Sequence, residues 1–169
     1  MRLATLILAA GFETTTGLLT NGVAALLDHP AQADRWRRTP ELSGTAVEEI
    51  LRYDSPVQMT FGRTAVDDIE VGDTSLHAGQ RLITILGAAN RDSEVFTQPN
   101  SLVLDRDEGI PLSFGAGIHH CLAALARLEG QVMFPKLLAR FPDRELAAEP
   151  QRRPSATLRG FAAMPVRTG

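Results

Sequence analysis

The sequence predicts a mainly α chain carrying a small antiparallel β-sheet. Long helical runs stand at residues 3–27, 44–53 and 121–140. Between Val57 and Leu86, short β-type runs alternate with turn signals. At 169 residues the chain is long enough to bury a core, and a single domain over 1–169 is expected.

Residues 3–27 are apolar on nearly all sides, as expected of a helix running through a core. The run is interrupted by GFETTT, Gly11 to Thr16, and stops at Asp28-His29-Pro30, because proline cannot continue a helix. Its first residues, MRLATLILAAGF, share the basic start and apolar run of a signal peptide. They lead into Glu-Thr-Thr-Thr instead of a small-residue cleavage site, and they are too short for a bilayer, so a buried helix is expected. A short amphipathic segment, PAQADRWRR, comes next. In SGTAVEEILRYDSP, Ser43 or Thr45 is the expected N-cap, and Pro56 marks the stop.

The sheet region, 57–86, has turns at Asp67-Asp68, Gly72-Asp73 and Ala78-Gly79. Residues 88–113 have little periodicity and predict a long ordered irregular segment, a kind of stretch that is often functional. After a loop at 114–121, a helix is expected over 121–140 with a kink at Pro135. Short strands over 150–167, including TLRGFAAMPV, complete the chain.

Composition excludes several classes of function. A net charge of −3 leaves no footprint for nucleic acid, and no basic cluster marks a membrane surface. The lone cysteine rules out an internal disulfide and suits a reducing compartment, so a cytoplasmic location is expected.

That cysteine ends the stretch FGAGIHHC. Gly115 and Gly117 permit backbone angles and close approaches that side chains forbid, where a loop folds tightly before a helix. Cys121 then lies near a helix N-terminus, where free N–H groups favour a thiolate. A stabilised thiolate serves as nucleophile, redox sensor or metal ligand. His119 and His120 are sequence neighbours that point apart in a loop, a weak arrangement for a catalytic base. A zinc site needs about four ligands, and His29 and His77 are not arranged around the loop. A dinucleotide fingerprint needs a third glycine where His120 stands. Two readings remain from the loop itself: a thiolate holding the iron of a macrocycle, and a buried structural cysteine after a glycine turn.

Three further stretches bear on that choice. AGFETT, EEILR and AANRD precede FGAGIHHCLA in that order, and together they closely resemble the carboxy-terminal part of a cytochrome P-450 of the soluble bacterial kind. Ala123 stands where many members carry glycine. The resemblance implies the carboxy-terminal portion of the haem-thiolate fold and a haem b (iron protoporphyrin IX) cofactor with Cys121 as its metal ligand. Thiolate ligation favours O–O cleavage. By the same resemblance Phe114, Gly115 and Gly117 shape the sulfur side, while His119 and Arg63 hold the propionates. Glu49 and Arg52 form a buried structural pair, and Asn90, Arg91 and Asp92 support the irregular segment. Glu13 and Thr14 match the acid–alcohol pair that delivers protons to the oxygen site, and Gly11 lets the helix open beside it. Phe12, Met59 and Phe61 are expected pocket contacts.

A typical member of that family is more than twice as long, so the chain is expected to be truncated, beginning partway through the distal helix. Three organisations are consistent with this: a piece completed by another chain, a short haem protein that dimerises, or a helper subunit without haem. The implied function is oxygen insertion into a small organic substrate with a ferredoxin-type electron donor. Truncation is expected to reduce this to peroxidase-like activity. The alternative is a non-oxygenating binding or helper subunit.

Overall fold

The computed structural model describes residues 2–117, 121 and 123–169. Five α-helices occur among them: α1 (Arg2–Asp28), α2 (Pro30–Arg38), α3 (Ser43–Tyr53), α4 (Leu86–Ala89) and α5 (Ala123–Arg140). Eight short strands accompany them: β1 (Thr60–Thr64), β2 (Ile69–Val71), β3 (Thr74–Leu76), β4 (Arg81–Thr84), β5 (Glu145–Leu146), β6 (Gln151–Arg152), β7 (Phe161–Ala163) and β8 (Val166–Arg167).

The core lies where α5 meets α1, α2 and α3. In α1 the buried positions Leu18, Gly22, Ala25 and Leu26 repeat at helical spacing and form one stripe. In α3 the stripe is Ala46, Val47, Ile50 and Leu51, and the helix stops ahead of Pro56. Phe134 and Leu138 of α5 fill the space between them, with Trp36 of α2 at 5.4 Å from the Phe134 ring. Full burial of each such side chain stabilises the fold by roughly 1.5–3 kcal/mol.

Several expectations need correction. The helix at α1 is continuous through Gly11–Thr16, and the hydroxyls of Thr14 and Thr16 donate to the carbonyls of Ala10 and Phe12 one turn back without breaking it. It is not buried along its length: residues 4–13 are exposed, since no other described part of the chain covers them. Neither Ser43 nor Thr45 caps α3. Leu42 holds the N-cap position, while the Ser43 hydroxyl donates to Pro40 O and accepts from Trp36 Nε1.

The strands form four two-stranded antiparallel ladders, β1–β4, β2–β3, β5–β8 and β6–β7. A single small sheet over 57–86 is therefore replaced by two ladders, because the β2–β3 hairpin pairs only with itself. The register of β1–β4 shifts between Thr60 and Arg63, at Gly62, which has a φ of 82°. Helix α5 runs through Pro135. No helix among the described residues is long and apolar enough to cross a membrane.

Candidate functional site

The irregular segment is fastened from inside the fold. Glu49 and Arg52, three residues apart on α3, are buried and joined at 2.6 Å and 2.8 Å. Arg52 Nη1 also donates to the carbonyl oxygens of Asn90 and Pro99, and Nη2 to that of Ser101, at 2.8–2.9 Å. One guanidinium thus satisfies three loop carbonyls at once. The Glu49 carboxylate also accepts from the Val103 amide and from Arg106 Nε, at 2.8 Å and 3.1 Å.

Asn90 carries this bracing onward. Its side chain accepts from the Leu112 amide at 2.7 Å and donates to the Ser113 hydroxyl at 2.9 Å. Ser113 in turn donates to Leu51 O at 2.7 Å. Arg91 donates to Tyr53 O and to Asn100 Oδ1, and its guanidinium lies 4.2 Å over the Tyr53 ring. Residues 112–113 are thereby fixed to α3 immediately before Phe114, where the cysteine loop begins.

Beyond that point lies an open cleft with mostly apolar walls. One wall is α1, through Ala10, Thr14 and Leu18; another is Arg63 of β1; the floor is Phe114, Gly115 and Cys121. Cys121 is exposed. Gly115 and Gly117 have φ of 76° and 90°, and a Cβ at either position would meet nothing within 4 Å. The positive φ at both positions is a backbone conformation that favours glycine.

Three separated stretches, α1, β1 and the cysteine loop, therefore bring Thr14, Arg63, Phe114, Gly115 and Cys121 to one cavity. Glu13 is not among them. It is exposed on the other side of α1, with Oε1 at 3.5 Å from Arg153 Nη1. Adjacent helical residues are about 100° apart, so the acid and the alcohol of AGFETT face different surroundings. Phe12 and Phe61 are exposed and, like Met59, do not line the cleft. His119 lies outside the described residues. His29 and His77 are engaged elsewhere, with Ala25 O and Asp68.

Three contributors escaped the sequence reading. Arg106 is nearly buried and ties Glu49 to the loop carbonyls of Thr97, Gln98 and Ser101. In LDRDEG it reads as a solvated charge among acids. Ser113 gives no signal as an isolated hydroxyl. Arg127 of α5 is bonded to Glu48 and lies 4.6 Å over the Phe114 ring, and only the three-dimensional fold reveals that contact.

Comparison with known proteins decides the lineage. The Cytochrome P-450 family model matches residues 41–167. The chain belongs to the cytochrome P-450 family. Polyketide biosynthesis cytochrome P-450 PksS of Bacillus subtilis is 45% identical over 165 residues, covering 95% of this chain and 41% of that protein. Biotin biosynthesis cytochrome P-450 of the same organism is 45% identical over 163 residues, covering 95% of this chain and 41% of the relative. The solved structure of P-450 BioI, in complex with an acyl carrier protein ligated to hexadec-9Z-enoic acid, superposes with a TM-score of 0.93 at 44% identity, covering 97% of this chain and 43% of that one. The chain therefore spans about two-fifths of the length of these relatives and corresponds to the carboxy-terminal part of the P-450 fold.

Members of this family bind haem through a cysteine thiolate. The residues present fit such a group. The cleft walls are largely apolar, the single thiol opens onto it, and the Arg63 guanidinium, suited to a carboxylate, stands at another wall. No cluster of three or more His, Cys, Asp and Glu side chains that could hold a bare metal ion occurs among the described residues.

Proposed function

We propose that this chain supplies the thiolate face of a haem b monooxygenase site, with Cys121 as the iron's protein ligand. The observation that carries this reading is the convergence of Thr14, Arg63, Phe114 and Cys121 on one apolar cleft. When bound, haem supplies the activation of dioxygen. Arg63 and His119 hold its propionates, and Phe114 screens the sulfur from water. Thr14 Oγ1, which donates to Ala10 O at 2.5 Å, holds a proton on the cleft side of α1.

The substrate class is a small organic molecule. The relatives' names point in different directions: polyketide biosynthesis, biotin biosynthesis and, in Pseudonocardia autotrophica, vitamin D(3) 25-hydroxylation. A ferredoxin-type protein provides electrons. A second copy or a complementing chain covers the apolar side chains that α1 and α5 leave exposed, Leu6, Leu8 and Phe12 on one and Leu125 and Leu128 on the other. Left open, the cleft admits water, which favours peroxidase-like activity over substrate oxidation.

The test is an absorption spectrum of the purified chain with added haem, reduced under carbon monoxide. A strongly red-shifted Soret band that Cys121→Ser abolishes supports the reading. An unshifted band means histidine or neutral-thiol ligation and overturns the role given to Cys121. No haem uptake at all supports a non-oxygenating helper subunit instead.

A further inference from the structure

Besides α1, Arg63 and the floor, the cleft is lined by Pro56, Val57 and Leu86. These stand on two segments that meet at Gln58. Its carbonyl accepts from the Gly87 amide at 3.0 Å, which joins residues 56–58 to the start of α4. The carboxy-terminal loop holds the same residues. Gln58 N–H donates to Thr157 O at 2.9 Å, Arg159 N–H donates to Pro56 O at 2.7 Å, and Val57 pairs with Leu158 in an isolated antiparallel bridge. The backbone at 56–58 is thus pinned. Helix α4 is anchored at its far end, where Asn90 is fully buried and bonded to Arg52, Leu112 and Ser113. Leu86 stands at the end away from that anchor.

The Gln58 amide fills the space between the two segments. Its Nε2 donates to Ser55 O at 2.6 Å, which fixes the amide in place. A Cβ added at Gly87 would lie 2.3 Å from Oε1 and 2.9 Å from Cδ of this side chain. Gly87 sits in helical backbone, so space and not handedness excludes a side chain there. A free glutamine would swing aside. This one, half-buried, would have to give up its bond to Ser55. We infer that Gln58 is a positioning residue for ligand size: its amide is the spacer that sets the separation of Val57 and Leu86, and with it the width of the cleft for an apolar ligand. This rests on the reading of the cleft as a haem site that admits a small organic substrate. Removing the amide lets α4 settle toward residues 56–58 and narrows the cleft. Adding a methyl at Gly87 drives α4 away and widens it.

The experiment uses the full chain with Gln58→Ala, Gly87→Ala and the double variant. In the haem-free chain, the NOE between the methyl groups of Val57 and Leu86 is measured by NMR. It strengthens in Gln58→Ala and weakens in Gly87→Ala. In the double variant it returns toward the parent value, because the new methyl occupies room that the amide has left. In the haem-loaded chain, imidazole and 4-phenylimidazole are titrated by absorbance. The ratio of their dissociation constants shifts to favour the smaller ligand in Gln58→Ala and the larger in Gly87→Ala. The expected shift is about tenfold, the low end for a one-carbon change in an apolar pocket. A merely structural contact weakens both ligands alike in both variants. That result, NOE changes of one sign, or an unmoved ligand ratio overturns the proposal. If the NOEs move as stated but the parent takes up no haem, the spacer role of Gln58 stands and the reading of the cleft as a haem site fails.

Discussion

Arg52 is joined to Glu49 along two edges, Nε to Oε2 at 2.6 Å and Nη2 to Oε1 at 2.8 Å, with both side chains almost completely buried. The pair is costly to desolvate, and it is tolerated because each partner spends its remaining bonding capacity on the loop at 90–106. Glu49→Gln removes the negative charge between two buried guanidiniums, Arg52 and Arg106. The expected loss is about 3–5 kcal/mol in urea unfolding. Arg52→Lys keeps the charge but cannot make the fork, so it also destabilises. A loss below about 1 kcal/mol in both variants would show that the segment is held by something else.

A second polar junction ties α1 to the carboxy-terminal hairpin. Asn21 is fully buried and donates to the carbonyls of Asp54 and Arg159 at 3.0 Å and 3.1 Å, while accepting from Arg152 at 3.1 Å. Arg152 and Arg159 also flank the Asp54 carboxylate, each at 3.0 Å. Asn21→Leu leaves these groups without their shared partner, and a cost of about 1–3 kcal/mol is expected. The hairpin at β6–β7 should then be cut first in limited proteolysis. An unchanged cleavage pattern counts against the junction as its anchor.

The bracing of the site was only half legible in the sequence. Glu49 and Arg52 announce themselves because three-residue spacing puts them on one helical face, and an acid and a base at that spacing form a pair. Their buried placement depends on where residues 90–106 pass, which no local pattern encodes. The limits of α1 followed from Pro30, but its exposure did not: a helix apolar on all sides has no signal for which face lacks a neighbour. Glu13 and Thr14 look like a unit as letters. On a helix they are about 100° apart, and Arg153, 140 positions away, claims the carboxylate.

Acid should unfold the chain through identifiable carboxylates. Asp105 is held below its usual range by the Arg35 guanidinium, Asp68 by the Ala78 amide and then His77, and Glu108 by the Thr97 hydroxyl and amide and then Arg106. A folded-state pKa below the unfolded one contributes stability that is present above the unfolded value. That contribution disappears as pH falls through the folded one. Stability is therefore expected to be level down to about pH 5, then to fall as pH passes the ordinary carboxylate values near 4 and below. Asp105→Asn flattens the slope, and high salt does the same, because the group is solvent-accessible. Urea midpoints measured from pH 3 to 7 check this. An equal slope in parent and variant removes Asp105 from the account.

Two glycines in α1 should respond oppositely to the same substitution. At Gly22 an added Cβ would lie 2.3 Å from Phe134 Cζ and 3.1 Å from Ile50 Cγ2. Phe134 is fully buried in the core and has no free space to move into, so Gly22→Ala forces the α1–α5 contact apart and costs about 1–3 kcal/mol. At Gly11 an added Cβ meets nothing within 4 Å, and the residue sits inside a continuous helix. Gly11→Ala therefore removes only the flexibility penalty of glycine and stabilises the helix by about 0.8–1 kcal/mol. The opening that the family resemblance assigns to Gly11 is not present in this helix; if binding at the cleft requires it, the alanine variant unfolds at higher urea yet takes up haem less tightly than the parent. A variant that gains in both stability and affinity would mean that α1 works closed.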